Sequence, residues 1–166
     1  MIPTQHPDFT IRFATKNDVL LILSFIKQLA DYEKLAHEVV ATEAMLEQTL
    51  FGERKVAEVI FGDYKGDTVG FALFFHNYST FLGRPGLYLE DLFVKSEMRG
   101  QGFGKIMLSF LAKLAKERNC GRLEWWVLDW NQPAIEFYKS LGAKPMDEWT
   151  VYRITGQTLD DFANTF

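Results

Sequence analysis

The stretch that decides the fold is Leu87-Tyr88-Leu89-Glu90-Asp91-Leu92-Phe93-Val94, followed by Lys95-Ser96-Glu97-Met98-Arg99-Gly100-Gln101-Gly102-Phe103-Gly104. The first part reads as a strand. From Gly104 to Glu117 the polar residues Lys105, Ser109, Lys113 and Lys116 form one stripe, while Ile106, Met107, Leu108, Phe110, Leu111, Leu114 and Ala115 cover the rest, which predicts a deeply buried helix. Gly100, Gly102 and Gly104 therefore occupy alternate positions at a strand-to-helix junction. Glycine permits positive φ and close approach of a ligand to the main chain. The first amides of the helix lack intrahelical partners and lie at the positive end of its dipole, so the junction is an anion site. Arg99 adds a fork of donors. A phosphate-bearing ligand is expected here.

The spacing narrows the choice. A dinucleotide fingerprint would need glycine at Lys105 or at Met107, and a P-loop would need glycine at Arg99 and Ser or Thr at Ile106. Both fail. What remains is Arg-x-x-Gly-x-Gly, formed by Arg99, Gly102 and Gly104.

Working outward, Phe9 to Ala14 alternates as a half-buried strand, and Thr15 with Asp18 forms a capping box for a helix running to about Lys34. Its apolar face is Leu20, Leu23, Ile26 and Ala30. A shorter helix is predicted over Thr42 to Leu50, closed by Gly52. Val56 to Phe61 and Val69 to His76, joined around Lys65-Gly66-Asp67, read as strands that form an antiparallel meander with Leu87 to Val94. Beyond the buried helix the expectation is a strand over Leu123 to Leu128, a helix over Asn131 to Leu141 with Pro133 in its first turn and Gly142 at its stop, and a strand over Trp149 to Ile154. The order is β-α-α-β-β-β-α-β-α-β, an α/β (α+β) fold with a mixed sheet flanked by helices in one domain of 166 residues.

Composition excludes several classes. A formal net charge of -4 does not suit wrapping a nucleic-acid backbone. The longest apolar run, Val69 to Phe75, is far short of the roughly 20 residues of a membrane span, and the first residues lack the pattern of a secretory signal. A single cysteine, Cys120, cannot form an intrachain disulfide, and His6, His37 and His76 are scattered, so no metal spacing is present. A cytoplasmic setting without metal, nucleic acid or membrane is the expectation.

The loop, the strand before it, and Leu128-Asp129-Trp130-Asn131-Gln132-Pro133-Ala134-Ile135-Glu136-Phe137-Tyr138-Lys139-Ser140-Leu141-Gly142-Ala143 resemble the GNAT (GCN5-related) N-acetyltransferase superfamily. Within it they are most similar to the spermidine/spermine acetyltransferase branch and its thialysine N-epsilon-acetyltransferase type. The likeness extends from Ile11 through Trp149 and includes Leu29 to Leu35. It implies a mostly antiparallel sheet splayed after the fourth strand, acetyl-CoA as acetyl donor with CoA as product, a small primary amine as substrate, and a homodimer. By resemblance the cofactor lies against Leu92, Phe93 and Val94, the loop residues Arg99, Gly100, Gln101, Gly102, Phe103, Gly104 and Lys105, and the helix start Asn131, Gln132, Pro133 and Ala134. A backbone amide at the strand end can stabilise the oxyanion, although a buried strand end looks the same. Asn131 is first a helix N-cap.

Roles follow from the chemistry. A phenol of pKa about 10 can protonate a departing thiolate of pKa about 8.5, which fits Tyr138 as general acid; a packed aromatic is the alternative. An ammonium of pKa about 10.4 must lose a proton before attack, and Glu90 can accept it, directly or through water; a solvated strand carboxylate is the alternative. Glu90 and Asp91 are adjacent on a strand, so their side chains are expected on opposite faces. The resemblance places Tyr32 and Glu33 near the distal part of the substrate, or else they are helix-end residues. Trp125, Trp126 and Glu124 are candidate walls of the amine site, only one of the two tryptophans facing it. Asp129 and Glu148 are surface carboxylates or added negative charge. Cys120 has no nearby histidine and no nucleophilic role is assigned to it. A GNAT-like module that binds CoA or acyl-CoA as a sensor without useful turnover, and acetylation of protein amines, stand as alternatives.

Overall fold

The computed structural model describes all 166 residues and separates into two units, Met1–Trp126 and Val127–Phe166. In the first, six strands lie side by side in chain order: β1 (Ile2–Pro3), β2 (Phe9–Phe13), β3 (Glu58–Tyr64), β4 (Asp67–Ser79), β5 (Arg84–Val94) and β6 (Leu123–Trp125). All neighbours are antiparallel except β5 and β6. The β3–β4 hairpin turns on two residues, Lys65 at φ 51° and Gly66 at φ 93°, the pair of positive φ values that a tight turn matching the strand twist requires. Parallel β6 is reached through helix α3 (Phe103–Glu117), as a parallel pair demands a crossover.

Helices α1 (Val19–Tyr32) and α2 (Glu43–Phe51) cover one face. Val19, Ile22, Leu23 and Phe25 of α1 and Leu46 and Leu50 of α2 close over Val59, Phe61, Phe71 and Phe93 of the sheet. Leu20, read from the sequence as part of the buried face, is 65% exposed; the stripe is rotated toward Val19 and Ile22. The Thr15/Asp18 box is present on a 3-10 turn leading into α1, with the Asp18 carboxylate accepting from the Thr15 amide (2.8 Å) and from Arg12 (3.0 Å). Arg12 also donates to Asp63 at 3.0 Å, so one guanidinium ties β2, the turn and β3 together. α1 stops at Tyr32 rather than near Lys34. Lys34 takes φ 63° and donates to Asp31, and Leu35 donates to Ala30, a Schellman motif without glycine.

α3 covers the other face through Phe103, Met107, Leu111 and Leu114. It packs closely because β3 and β4 present glycines: a Cβ on Gly62 would lie 2.4 Å from Phe9 Cζ and 3.1 Å from Met107 Sδ. Phe103, the first residue of α3, stacks on Phe9 with ring centroids 4.4 Å apart, which fixes the helix start in the core.

β5 is not regular. Leu73 pairs with Asp91 and Phe74 with Leu89, so Glu90 is the extra residue of a β-bulge. One extra residue reverses the faces of those that follow. Before it, Leu87 and Leu89 share the α3 side with Phe74; after it Asp91 and Phe93 lie on the α1 side with Leu73 and Phe71. Glu90, exposed and outside the alternation, is therefore not placed by the opposite-face rule applied to the sequence. The parallel ladder with β6 covers only Leu87–Leu89 and stops where the bulge bends β5, which is why the strand expected over Leu123 to Leu128 ends at Trp125.

In the second unit, α4 (Gln132–Ser140) has Asn131 as N-cap, its side-chain oxygen accepting from the Ala134 amide at 3.4 Å, and ends at Gly142 with φ 84°. The strand expected over Trp149 to Ile154 does not form. The alternation is there, but no ladder partner is, and Trp149 and Tyr152 are 73% and 92% exposed. The chain instead ends in a helix absent from the sequence reading, α5 (Gly156–Ala163). No helix of the protein is long and apolar enough to cross a membrane.

Candidate active site

The glycine loop follows β5 through a 3-10 turn at Ser96–Met98. Gly100 and Gly102 take φ 79° and 81°, and a Cβ on either would meet nothing within 4 Å. Glycine is required there by backbone conformation, not by crowding, and the space above both residues is open. Gly102 caps α3 without a side-chain bond, and no acidic residue stands in the first turn. The first intrahelical bond is Ile106 N–H to Gly102 at 3.0 Å, so the amides of Phe103, Gly104 and Lys105 are the orphan donors of the helix start. An anion fits this arrangement. Arg99 behaves differently from the expectation. Its Nε donates to the Val94 carbonyl at 3.1 Å, and its guanidinium carbon lies 4.2 Å from the Tyr32 ring centroid and 5.3 Å from that of Phe93. Gln101 is exposed.

Next to the loop, Leu92, Phe93 and Val94 pair with β4 on one side, while β6 does not extend beyond Leu89 on the other. The main chain from Glu90 to Val94 thus has an open edge, the splay expected after this strand.

Three carboxyls gather beside that edge, Asp91 among them on the α1 side. Asp91 sits past the bulge, Glu33 caps α1, and Glu90 is the bulge residue. Burial, then the negative charges of Glu90 and Glu33, push Asp91 up from 3.8 to about 7. Burial also pushes Glu33 up. Two nearby carboxylates make the ionised form of Asp91 unfavourable, which leaves a base whose strength suits proton transfer near neutral pH.

The same face carries aromatic rings. Phe75 and Tyr88 are 5.0 Å apart, and Trp126 meets Tyr88 edge-on at 5.9 Å. Trp125 pairs with Leu89 and so takes the α3 side, leaving Trp126 as the tryptophan on the acidic face. Tyr32 lies 6.5 Å from Phe93. Glu124 accepts from Asn77 at 2.9 Å and lies 2.9 Å from Arg122 Nε, crossing β5 at Gly86, where a Cβ would come within 2.1 Å of Asn77 Oδ1. Its carboxylate is held by the scaffold. A groove of about 730 Å³ lies at the opposite end of β3, lined by Lys16, Phe51, Lys55, Glu58, Phe75 and His76, away from the loop.

Asp91, Phase-reversed by the bulge, and the rings of Phe75 and Tyr88 were not among the sequence candidates. The signal was present: Leu87 and Leu89 alternate in one frame, Leu92 and Val94 in the other, and a frame slip within a strand marks a bulge. In the second unit Tyr138 is half-buried on α4 with its ring 5.3 Å from Phe137, Asn131 is buried, Ala134 is half-buried, and Gln132 and Pro133 are exposed. Burial pushes the Cys120 thiol up, against the pull of Arg118, which suits an inert cysteine. No group of three or more His, Cys, Asp or Glu side chains is arranged to hold a metal ion.

Residues 26–143 match the model of the acetyltransferase (GNAT) family. The chain is 36% identical to an L-ornithine N5-acetyltransferase of Arabidopsis thaliana over 95% of its length and 89% of that protein. It is 39% identical to a thialysine N-epsilon-acetyltransferase of Bos taurus over 92% and 96%, respectively. Among solved structures, an integron cassette protein from the mobile metagenome of V. cholerae superposes with a TM-score of 0.80 at 29% identity, covering 94% of this chain and 98% of that one. With the glycine loop, the open strand edge and the sheet order already in place, these likenesses make the chain a member of the GNAT acetyltransferase family, an N-acetyltransferase acting on amines.

Proposed function

We propose that the protein transfers the acetyl group of acetyl-CoA to the primary amine of a small aliphatic substrate by direct attack in a ternary complex. The observation that carries this reading is the open edge of Glu90 to Val94 lying between an anion-binding loop and a group of three carboxyls. Acetyl-CoA supplies the acetyl group as a thioester. The amides of Phe103, Gly104 and Lys105, with the main chain of Gly100, Gln101 and Gly102, hold its pyrophosphate, and the edge at Leu92, Phe93 and Val94 aligns the pantetheine arm. Asn131, Gln132, Pro133 and Ala134 complete the cofactor contacts by resemblance.

On the amine side, Asp91 and Glu90 take the proton from the substrate ammonium. Asp91 is the better matched of the two, since an acceptor titrating at about 7 gives the proton up again near neutral pH. The rings of Phe75, Tyr88 and Trp126 supply an apolar floor for the methylene chain, with Tyr32 and Glu33 at its far end. Tyr138 protonates the departing thiolate, a phenol of pKa about 10 passing its proton to a thiolate of pKa about 8.5 as the carbon–sulfur bond breaks. The working enzyme is a cytoplasmic homodimer whose catalytic domain spans residues 1–166; the family match runs across the boundary between the two units, which supports one functional domain.

The similar proteins named for ornithine and thialysine favour an amino acid with a terminal amine over a polyamine. Release of CoA thiol against thialysine, ornithine, lysine, putrescine, spermidine and spermine tests this. Turnover is expected with the amino acids first. CoA binding without turnover on any amine would replace the enzyme reading with that of a CoA sensor.

A further inference from the structure

Two strands legible in the sequence are incomplete in the single chain, and both lack a neighbour. Leu123 to Leu128 forms a ladder only as far as Trp125, and β6 ends the six-stranded sheet with no strand on its outer side. Trp149 to Ile154 joins no sheet. Extended, it carries Trp149 and Val151 on one face and Tyr152 and Ile154 on the other, the pattern of a strand covered on both sides. All four are exposed. The second unit, taken by itself, has no core: no residue of α4 or α5 is buried, and Asn131 is its one buried residue. A unit of about 40 residues is at the size where folding usually needs a further chain or another staple. Met146, Trp149, Val151, Tyr152, Ile154 and Phe162 together present roughly 600 Å² of apolar surface, more than a monomer usually leaves in water. An arm that buries this much covers a similar area of the chain it lies on, so two reciprocal arms exceed the ~1,600 Å² of a standard interface.

We propose that the second unit of each chain docks on the first unit of a second copy, Trp149 to Ile154 adding as a strand to the outer edge of β6, so that each active site takes its strand edge and carboxyls from one chain and Tyr138 from the other. The proposal rests on the acetyl-transfer reading for the role of Tyr138, and adds to the dimer of that reading a site that neither chain completes alone. The chain crosses to its partner at the boundary between the units, Trp126–Val127. A second copy is the occupant because the single chain folds with this strand-forming segment outside its own sheet. The exchange is reciprocal, arm on edge and edge under arm, and therefore closes as a two-fold pair. It gives Trp126 to Leu128 the neighbour that extends β6 to the length read from the sequence, and it covers a sheet edge that would otherwise template aggregation.

Light scattering on the purified full chain at micromolar concentration reads the exchange, and mixed dimers read the shared site. The wild type is expected at twice the mass of the chain. Tyr152→Pro removes a ladder donor at a residue that is exposed and outside every helix and strand of the single chain, so it should run as a monomer with an unchanged circular dichroism spectrum; Tyr152→Asp, which keeps the donor and charges a covered face, should do the same. Asp91→Asn and Tyr138→Phe chains carrying different affinity tags are then co-expressed and the mixed dimer isolated through both tags. With shared sites this dimer has one site with both defects and one with neither, and CoA release should return to about half the wild-type rate. With a whole site in each chain, both sites hold one defect, and release no faster than the mean of the two parents overturns the shared site. A monomeric wild type, or both Tyr152 variants as dimers, overturns the exchange. Wild-type turnover in either parent overturns that residue's role in acetyl transfer and the shared site with it, while the masses still decide the exchange.

Discussion

Replacing Asp91 by Asn should stabilise the protein and disable it in the same step. Burial first, then Glu90 and Glu33, raise this carboxyl from 3.8 to about 7. A carboxyl whose pKa is higher in the folded state binds its proton more tightly there. Its contribution to stability is fully present below about 3.8 and is lost as the pH rises through about 7. The gap is 7 − 3.8 = 3.2, which at about 1.36 kcal/mol per pKa unit sets an upper bound of ~4 kcal/mol. An amide cannot ionise, so in Asp91→Asn this loss is absent. Relative to wild type at the same pH, the variant should gain stability progressively from about pH 4 to about pH 8. For a chain of this size the upper bound corresponds to a gain in Tm of roughly 8–16 °C at the alkaline end. Denaturant titrations across that pH range measure the gain, and kcat/KM for CoA release, expected to fall by about 10²–10⁴ for loss of a general base, measures the cost. Parallel stability profiles for the two proteins would refute the argument, because they would mean that Asp91 titrates alike in folded and unfolded chains. A stability gain without loss of turnover would keep the electrostatics and shift the proton acceptor to Glu90.

Two other substitutions test the remaining parts of the site. Tyr138→Phe removes one hydroxyl, and turnover should fall by about 10²-fold or more while the Kd for CoA stays near the wild-type value; unchanged turnover removes Tyr138 from the general-acid role. Gly102→Ala meets no clash but forces a Cβ onto a residue at φ 81°, a strain of about 1–3 kcal/mol that should appear as weaker CoA binding in calorimetry, with Asp91 chemistry at saturating CoA largely preserved.

Most of the fold was legible because most of it is set by local rules. The meander, the two-residue turn at Lys65-Gly66, the Thr15/Asp18 box and α3 each depend on side chains within a few residues of one another. The misses have a common physical origin. Lys34 ends α1 in a left-handed conformation that glycine usually announces, and the motif that makes it tolerable is backbone hydrogen bonding invisible in the residue types. Trp149 to Ile154 has the alternation of a strand, but a strand exists only where the segment pairs with a neighbour, and periodicity does not report pairing.

The site divides along the same line. The glycine loop could be read directly, since positive φ and orphan amides are properties of a few consecutive residues. The acid group leaves only a fainter mark, the slip of apolar frame between Leu89 and Leu92, because it depends on Glu90 being one residue too many against β4. That single insertion has three consequences at once. It ends the ladder with β6 at Leu89, which opens the strand edge; it turns Asp91 to the α1 side, where Glu33 is; and it leaves Glu90 itself exposed beside both. Without it, Asp91 would share the α3 side with Leu87 and Leu89, opposite Ala72, and would point away from the helix that carries Tyr32 and Glu33. The edge that accepts the acyl donor and the carboxyl that accepts the proton are therefore two products of one irregularity, and Arg99 on Tyr32 joins them to the loop.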